Sequence, residues 1–155
     1  MVSPEILRRY PFFGTLTDAQ LKAVAMHTEE ETFGKGAIVF EECQAADKLY
    51  LLLEGGIDLS YKSEEEYHPT TRKEFYVGEI NSGEVFGTSA LIEPHVLNAT
   101  AKTSQASKVV TFDASELRKL LEKDQDLSNK FLLQVIKILK ERIIALRVQM
   151  AAIQP

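Results

Sequence analysis

Seven apolar residues near the end of the chain recur with gaps of 4, 3, 4, 3, 4 and 3: Leu132, Ile136, Leu139, Ile143, Leu146, Met150 and Ile153. A run of that period requires one long helix, because only a helix returns side chains to one face every three or four residues. Written as heptads, Ile136, Ile143 and Met150 take a positions, and Leu132, Leu139, Leu146 and Ile153 take d. β-Branched a residues with leucine at d favour a parallel pair of helices. A second stripe, Phe131, Val135 and Ile138, is expected to pack on the chain's own body. Together the two stripes are wider than a single monomer face needs. The helix 126–153 is therefore expected to make a homodimer. Arg142 falls at a g position, and a parallel partner would set Arg147 against it, so no salt bridge forms there.

The chain ahead of this helix reads differently. Ser3 caps a short helix through Arg9, with Pro4 at its first position. Thr17 and Gln20 match a capping box, and Leu21, Val24 and Ala25 form the buried face of the helix that follows. Pro11-Phe12-Phe13 and Leu16 supply an apolar pad beneath it. His27 lies near that helix's end, where a cation suits the dipole and no further role is expected.

From Thr32 the pattern becomes β. Phe33, a Gly34-Lys35-Gly36 turn and Ile38-Val39-Phe40 read as a hairpin-like unit. Leu49 to Leu53 reads as a buried strand ended by Glu54-Gly55-Gly56, and Ile57, Leu59 and Tyr61 alternate with polar residues. Ser63 to Lys73, with His68 and Pro69, reads as a solvated loop. Phe75 to Ile80, Asn98 to Thr103 and Lys108 to Phe112 are further strands. Short strands with glycine turns at near-regular spacing predict a jelly-roll β-barrel. Asp113-Ala-Ser-Glu opens a helix carrying Leu117, Leu120 and Leu121. The expected class is mainly β with flanking helices. One domain spans 1–155: N-terminal helices over 1–31, the barrel over 32–112, and helices over 113–155.

The chemistry concentrates in Gly83 to Thr100, GEVFGTSALIEPHVLNAT. Val85-Phe86 is a short strand and Gly87 breaks it. Thr88-Ser89 sit where an N-cap is preferred, and Ala90, Leu91 and Ile92 make one helical turn before Pro94 stops it. Such a turn leaves backbone N–H groups pointing one way, a geometry that binds anions. Taken locally, the same pattern also suits a tight barrel corner.

Phe86-Gly87, Ala90-Leu91-Ile92 and Ala99-Thr100 resemble the phosphate-binding cassette of the cyclic-nucleotide-binding domain family. That family comprises the sensor domains of catabolite-activator-type regulators, kinase regulatory subunits and cyclic-nucleotide-gated channels. Nearly the whole chain shares in the resemblance, including the Pro-Phe-Phe before the second helix. It implies a ligand site at Phe86, Gly87, Thr88, Ser89, Ala90, Leu91, Leu97, Asn98, Ala99 and Thr100. Two positions depart from the family pattern. The glutamate that takes the ribose 2′-hydroxyl is Thr88, and the arginine that pairs with the cyclic phosphate is Leu97. A third departure is the turn Cys43 to Asp47, where the family has Gly-Asp; a positive φ there falls on a residue with a side chain.

The resemblance thus implies a regulatory sensor with weak or lost binding of cyclic AMP or cyclic GMP. The alternatives are a dimeric interaction module that binds no ligand, or a pocket retuned for a different small anion. Aligning the long helix by its starting acidic residue sets Arg142 near the family's base-contacting position, where it could supply the charge Leu97 lacks. A solvated arginine lying along the helix is the other outcome. Regulators of this family carry a DNA reader after the long helix. None follows here before Pro155, so the chain is expected to act as the sensor and dimer half, or through a protein partner.

Several functions are disfavoured by what the residues offer. A metal enzyme on a jelly roll needs clustered histidines and a carboxylate, whereas His27, His68 and His95 stand apart. His95 as a haem ligand is disfavoured for the same reason. Ser89 lacks a G-x-S-x-G setting, and Cys43 has neither an activating neighbour nor a second cysteine. No enzyme activity, metal or cofactor is expected. The net charge of −5 and pI near 5.3 argue against binding nucleic acid or acidic membranes through charge. No apolar run approaches the roughly 20 residues of a membrane span, and the N-terminus lacks a signal-peptide layout. A cytoplasmic location is expected.

Overall fold

Two four-stranded antiparallel sheets stack face to face in a computed structural model that describes residues 1–62 and 73–154. In chain order the strands are β1 (Thr28–Phe33), β2 (Ile38–Phe40), β3 (Lys48–Glu54), β4 (Ile57–Lys62), β5 (Glu74–Ile80), β6 (Val85–Phe86), β7 (Thr100–Thr103) and β8 (Ser107–Asp113). One sheet runs β1-β8-β3-β6 and the other β2-β7-β4-β5. The helices are α1 (Pro4–Arg8), α2 (Asp18–Ala25), α3 (Ala114–Lys123) and α4 (Gln125–Ile153). This is the expected jelly roll with N-terminal helices and a long C-terminal helix. The loop expected over Ser63 to Lys73 lies outside the described residues, apart from Lys73.

The expected helix starts are present. Ser3 Oγ accepts from the Glu5 N–H at 3.3 Å. Thr17 and Gln20 exchange both capping-box bonds, at 3.2 and 3.0 Å. Asp113 caps α3, and Asp124 caps α4 through the Leu127 N–H at 3.1 Å.

Two readings of the early strands need correction. β1 begins at Thr28, ahead of the expected barrel start at residue 32. Glu29, Glu30 and Glu31 hide it in the sequence, yet β1 is an edge strand, where charge on the exposed face is tolerated. The segment from Phe33 to Phe40 is not a hairpin unit, since β1 pairs with β8 and β2 pairs with β7. The Gly34–Gly36 turn carries the chain from one sheet to the other.

The core lies between the sheets and continues under the helices. Phe13, from a 3-10 turn at Pro11–Phe13, stacks on Phe112 of β8 with ring centroids 5.4 Å apart. Phe131 of α4 meets Phe12 edge-on at 5.1 Å. Leu127, Phe131 and Val135 are buried and fasten the first half of α4 to the body, with Ile138 packed against the same core. The heptad seam points elsewhere. Its seven residues, Leu132 to Ile153, are 42–82% exposed, so this chain alone does not cover them. Among the described residues no helix is long and apolar enough to cross a membrane.

Candidate ligand site

The site begins with Gly87. Its φ of 73° is left-handed, a conformation open to glycine at little cost. A Cβ there would also lie 2.9 Å from Cδ2 of Tyr50, so glycine serves both the turn and the contact. Tyr50 stacks on Phe86 at 5.0 Å and leans on Phe40 at 5.4 Å. Burial, with Glu31 and Asp47 adding to it, pushes the Tyr50 phenol up to about 12, so it stays neutral at ordinary pH.

Gly87 occupies the N-cap position of a 3-10 turn, Thr88–Leu91. Thr88 and Ser89 are therefore inside the turn, not caps, and Ile92 is already extended at φ −123°. The reason is the left-handed glycine, which starts the turn one residue earlier than a side-chain cap would. The N–H of Ala90 returns to the Gly87 carbonyl at 3.2 Å and is not available to a ligand. The first two N–H groups, of Thr88 and Ser89, have no partner inside the turn. Arg118 of α3 braces the turn from behind, donating from Nε to the Ala90 carbonyl at 2.8 Å and from Nη2 to the Ala46 carbonyl at 3.1 Å.

The far wall is set by a pairing that local sequence does not announce. The Cys43 N–H donates to the Leu97 carbonyl at 2.7 Å, and the Leu97 N–H donates to the Gln44 carbonyl at 2.9 Å. Ala46 likewise donates to the His95 carbonyl at 2.8 Å. Cys43 and His95 both hold positive φ, 70° and 59°. The Cys43 turn thus takes a left-handed residue without glycine, held by its bond to Leu97. Leu97 is clamped in place and only 6% exposed. β7 starts at Thr100, so Asn98 and Ala99 are a lead-in rather than strand.

These elements enclose a cavity of about 110 Å³. Its floor is buried and apolar: Phe40, Ile80, Val85, Phe86 and Leu97. Gly87, Thr88, Ser89, Asn98 and Ala99 line it with more exposed atoms, beside Leu59 and Ile138. Arg142, the fourth residue after Ile138 on α4, lines the same cavity. Its Nη1 donates to the Glu79 carbonyl at 3.3 Å. Gly78, beside a register shift between β4 and β5, makes room for it, because a Cβ at Gly78 would stand 2.8 Å from that Nη1. No carboxylate among the described residues lies within ion-pair distance of Arg142. Burial holds the nearby Tyr76 phenol above its ordinary value, helped by Glu79 and Asp58 and opposed by Arg142.

The structure thus gathers Phe86, Gly87, Thr88, Ser89, Leu97, Asn98, Ala99 and Arg142 around one cavity. Ala90, Leu91 and Thr100 fall outside its lining. Ala90 is buried behind the turn, Leu91 packs against the core, and Thr100 Oγ1 accepts from the Glu42 N–H at 3.1 Å. Sequence reasoning missed Phe40, Leu59, Ile80, Val85 and Ile138 as lining residues. Only Ile138 carried a signal, as the turn of helix before Arg142. The described residues contain no group of three or more metal-ligating side chains.

Residues 30–124 match the family model described as the cyclic nucleotide-binding domain. The crystal structure of a candidate cyclic nucleotide-binding protein from Geobacter metallireducens GS-15 superposes with a TM-score of 0.80. It is 36% identical and covers 92% of this chain and 99% of its own. A CRP-like cAMP-activated global transcriptional regulator of Mycobacterium tuberculosis is 21% identical over 139 residues, 90% of this chain and 58% of that protein. A candidate potassium channel protein of Rhodopseudomonas palustris is 20% identical over 130 residues, 84% of this chain and 30% of that protein. The chain therefore spans less than two thirds of either curated relative.

Proposed function

The chain belongs to the cyclic nucleotide-binding domain family, and from that premise we propose a regulatory sensor whose pocket has turned from cyclic AMP and cyclic GMP toward another small anion. One observation carries this reading. Leu97, buried at the position of the phosphate arginine, shares a cavity with Arg142, an arginine from α4. Burying a phosphate monoanion against leucine is costly without a paired cation. Thr88 is uncharged and accepts a ribose hydroxyl less strongly than a carboxylate does. The cavity is also below the roughly 300–1,000 Å³ of common small-molecule pockets, while a cyclic nucleotide brings a base, a sugar and a phosphate ring. The Mycobacterium relative is described as cAMP-activated; this chain departs from the family pattern at both charged cassette positions, with Thr88 and Leu97.

An anion between the Gly87 turn and Arg142 would draw α4 toward the barrel and link the pocket to the helix's exposed seam. A second copy of the chain suits that seam, which gives a homodimer signalling by helix position. The role is ligand sensing in the cytoplasm, without catalysis or a bound metal. The test is a rescue. Thr88→Glu with Leu97→Arg, titrated with cyclic AMP by calorimetry, is expected to bind at least about tenfold more tightly than the wild type, about 1.4 kcal/mol. Leu97→Arg alone is expected to gain little, since Thr88 stays unsuited to the ribose. A wild type that matches the double variant would contradict the reading.

A further inference from the structure

The pocket's chemistry narrows the anion to one class. We infer that this site takes a small monocarboxylate with an apolar, single-ring-sized body, its carboxylate on Arg142 and its body against Leu97 and Phe86. The inference rests on the reading of the pocket as a retuned anion site and adds the kind of anion.

Size is the first ground. The cavity holds about 110 Å³. An apolar cavity of about 150 Å³ accepts benzene, so this smaller one limits the enclosed part of a ligand to a single ring or a short branched chain at most, with the charged end outside it toward Arg142. The lining is the second. Five buried apolar side chains make the floor, and the polar groups stand on one side only, at Thr88, Ser89, Asn98 and Arg142, so an ion such as phosphate, which carries oxygens all round, would lose water on the apolar side without replacement. An apolar body gains from the same surface.

The third ground is the cation. Arg142 is half-buried, brings a single positive charge and meets no carboxylate among the described residues. A guanidinium has five N–H donors in a planar fork. One nitrogen of Arg142 is engaged by the Glu79 carbonyl, and among the described residues the others make no hydrogen bond. A carboxylate matches that fork and one charge answers one charge, whereas phosphate carries between one and two negative charges at neutral pH. Gly78 is part of the site, because a Cβ there would stand 2.8 Å from Nη1 and push the guanidinium off β5. Thr88 and Ser89 add hydroxyls along the same wall.

The test titrates the full chain with benzoate, benzyl alcohol, inorganic phosphate and cyclic AMP, each to millimolar concentration, by calorimetry. Benzoate is expected to bind saturably and at least about tenfold more tightly than benzyl alcohol, its uncharged counterpart. Arg142→Ala is expected to weaken benzoate at least about tenfold, with Arg142→Lys in between, since lysine keeps the charge and loses the fork. Gly78→Ala is expected to weaken benzoate while touching no ligand atom, and circular dichroism on each variant checks that the fold is retained. Benzyl alcohol binding as tightly as benzoate would overturn the inference. So would phosphate or cyclic AMP binding through Arg142 while benzoate fails, although phosphate in that role would leave the wider reading of a retuned anion site standing. No binding of any of the four compounds would overturn both.

Discussion

Arg118 holds two carbonyls that meet no other donor among the described residues. Its Nε and Nη2 meet Ala90 and Ala46, whose residues are 0% and 1% exposed. A buried carbonyl left without a donor costs about 1–3 kcal/mol. Arg118→Ala is therefore expected to destabilise the protein by about 1–3 kcal/mol, read from the midpoint of urea unfolding at constant slope. An unchanged midpoint would show that the brace is not needed. Single residues differ in how visible they are in sequence. Gly87 announces itself as a break between an apolar pair and a capped turn. Leu97 is visible as the wrong residue for a phosphate partner. Arg142 is visible only through the family resemblance, by alignment of the long helix; in the structure it follows Phe131, Val135 and Ile138 on the side of α4 toward the barrel. Arg118 is not visible, because an arginine on an amphipathic helix looks the same whether it is solvated or clasps a loop 28 residues away. The Cys43 turn is hidden for a related reason: its positive φ depends on a bond to Leu97, which no local pattern encodes.

At the scale of elements, α4 divides its faces along its length. The stripe toward the barrel stops being fully buried after Val135, while the seam stays open from Leu132 to Ile153. Both stripes were legible, because a helical period survives in any tertiary setting. The strands were legible where both faces are buried and the residues run apolar, as in β3 and β8, and obscured at the edge, where β1 carries three consecutive glutamates. Pairing between distant strands left no trace, so the segment around Gly34–Gly36 resembled a hairpin and is a crossing between sheets. The seam makes a firm expectation. Ile143→Asp puts a charge at the centre of a two-helix contact, where it would be buried without a partner, and should yield monomers by light scattering. A wild type that is monomeric at high micromolar concentration would contradict the dimer outright.

For the molecule as a whole, the two sheets form a rigid cup and α4 closes over one side of it through Ile138 and Arg142. α4 thus carries both part of the pocket lining, Ile138 and Arg142, and the exposed seam. On the proposed function this cup no longer serves cyclic nucleotides, since Leu97 brings no charge to the cassette and the cation lining the cavity is Arg142 of α4. The most direct test is calorimetric titration of the wild-type protein with cyclic AMP. Binding weaker than micromolar is expected, at least about tenfold below a relative that keeps the cassette arginine. Sub-micromolar binding of cyclic AMP would contradict it.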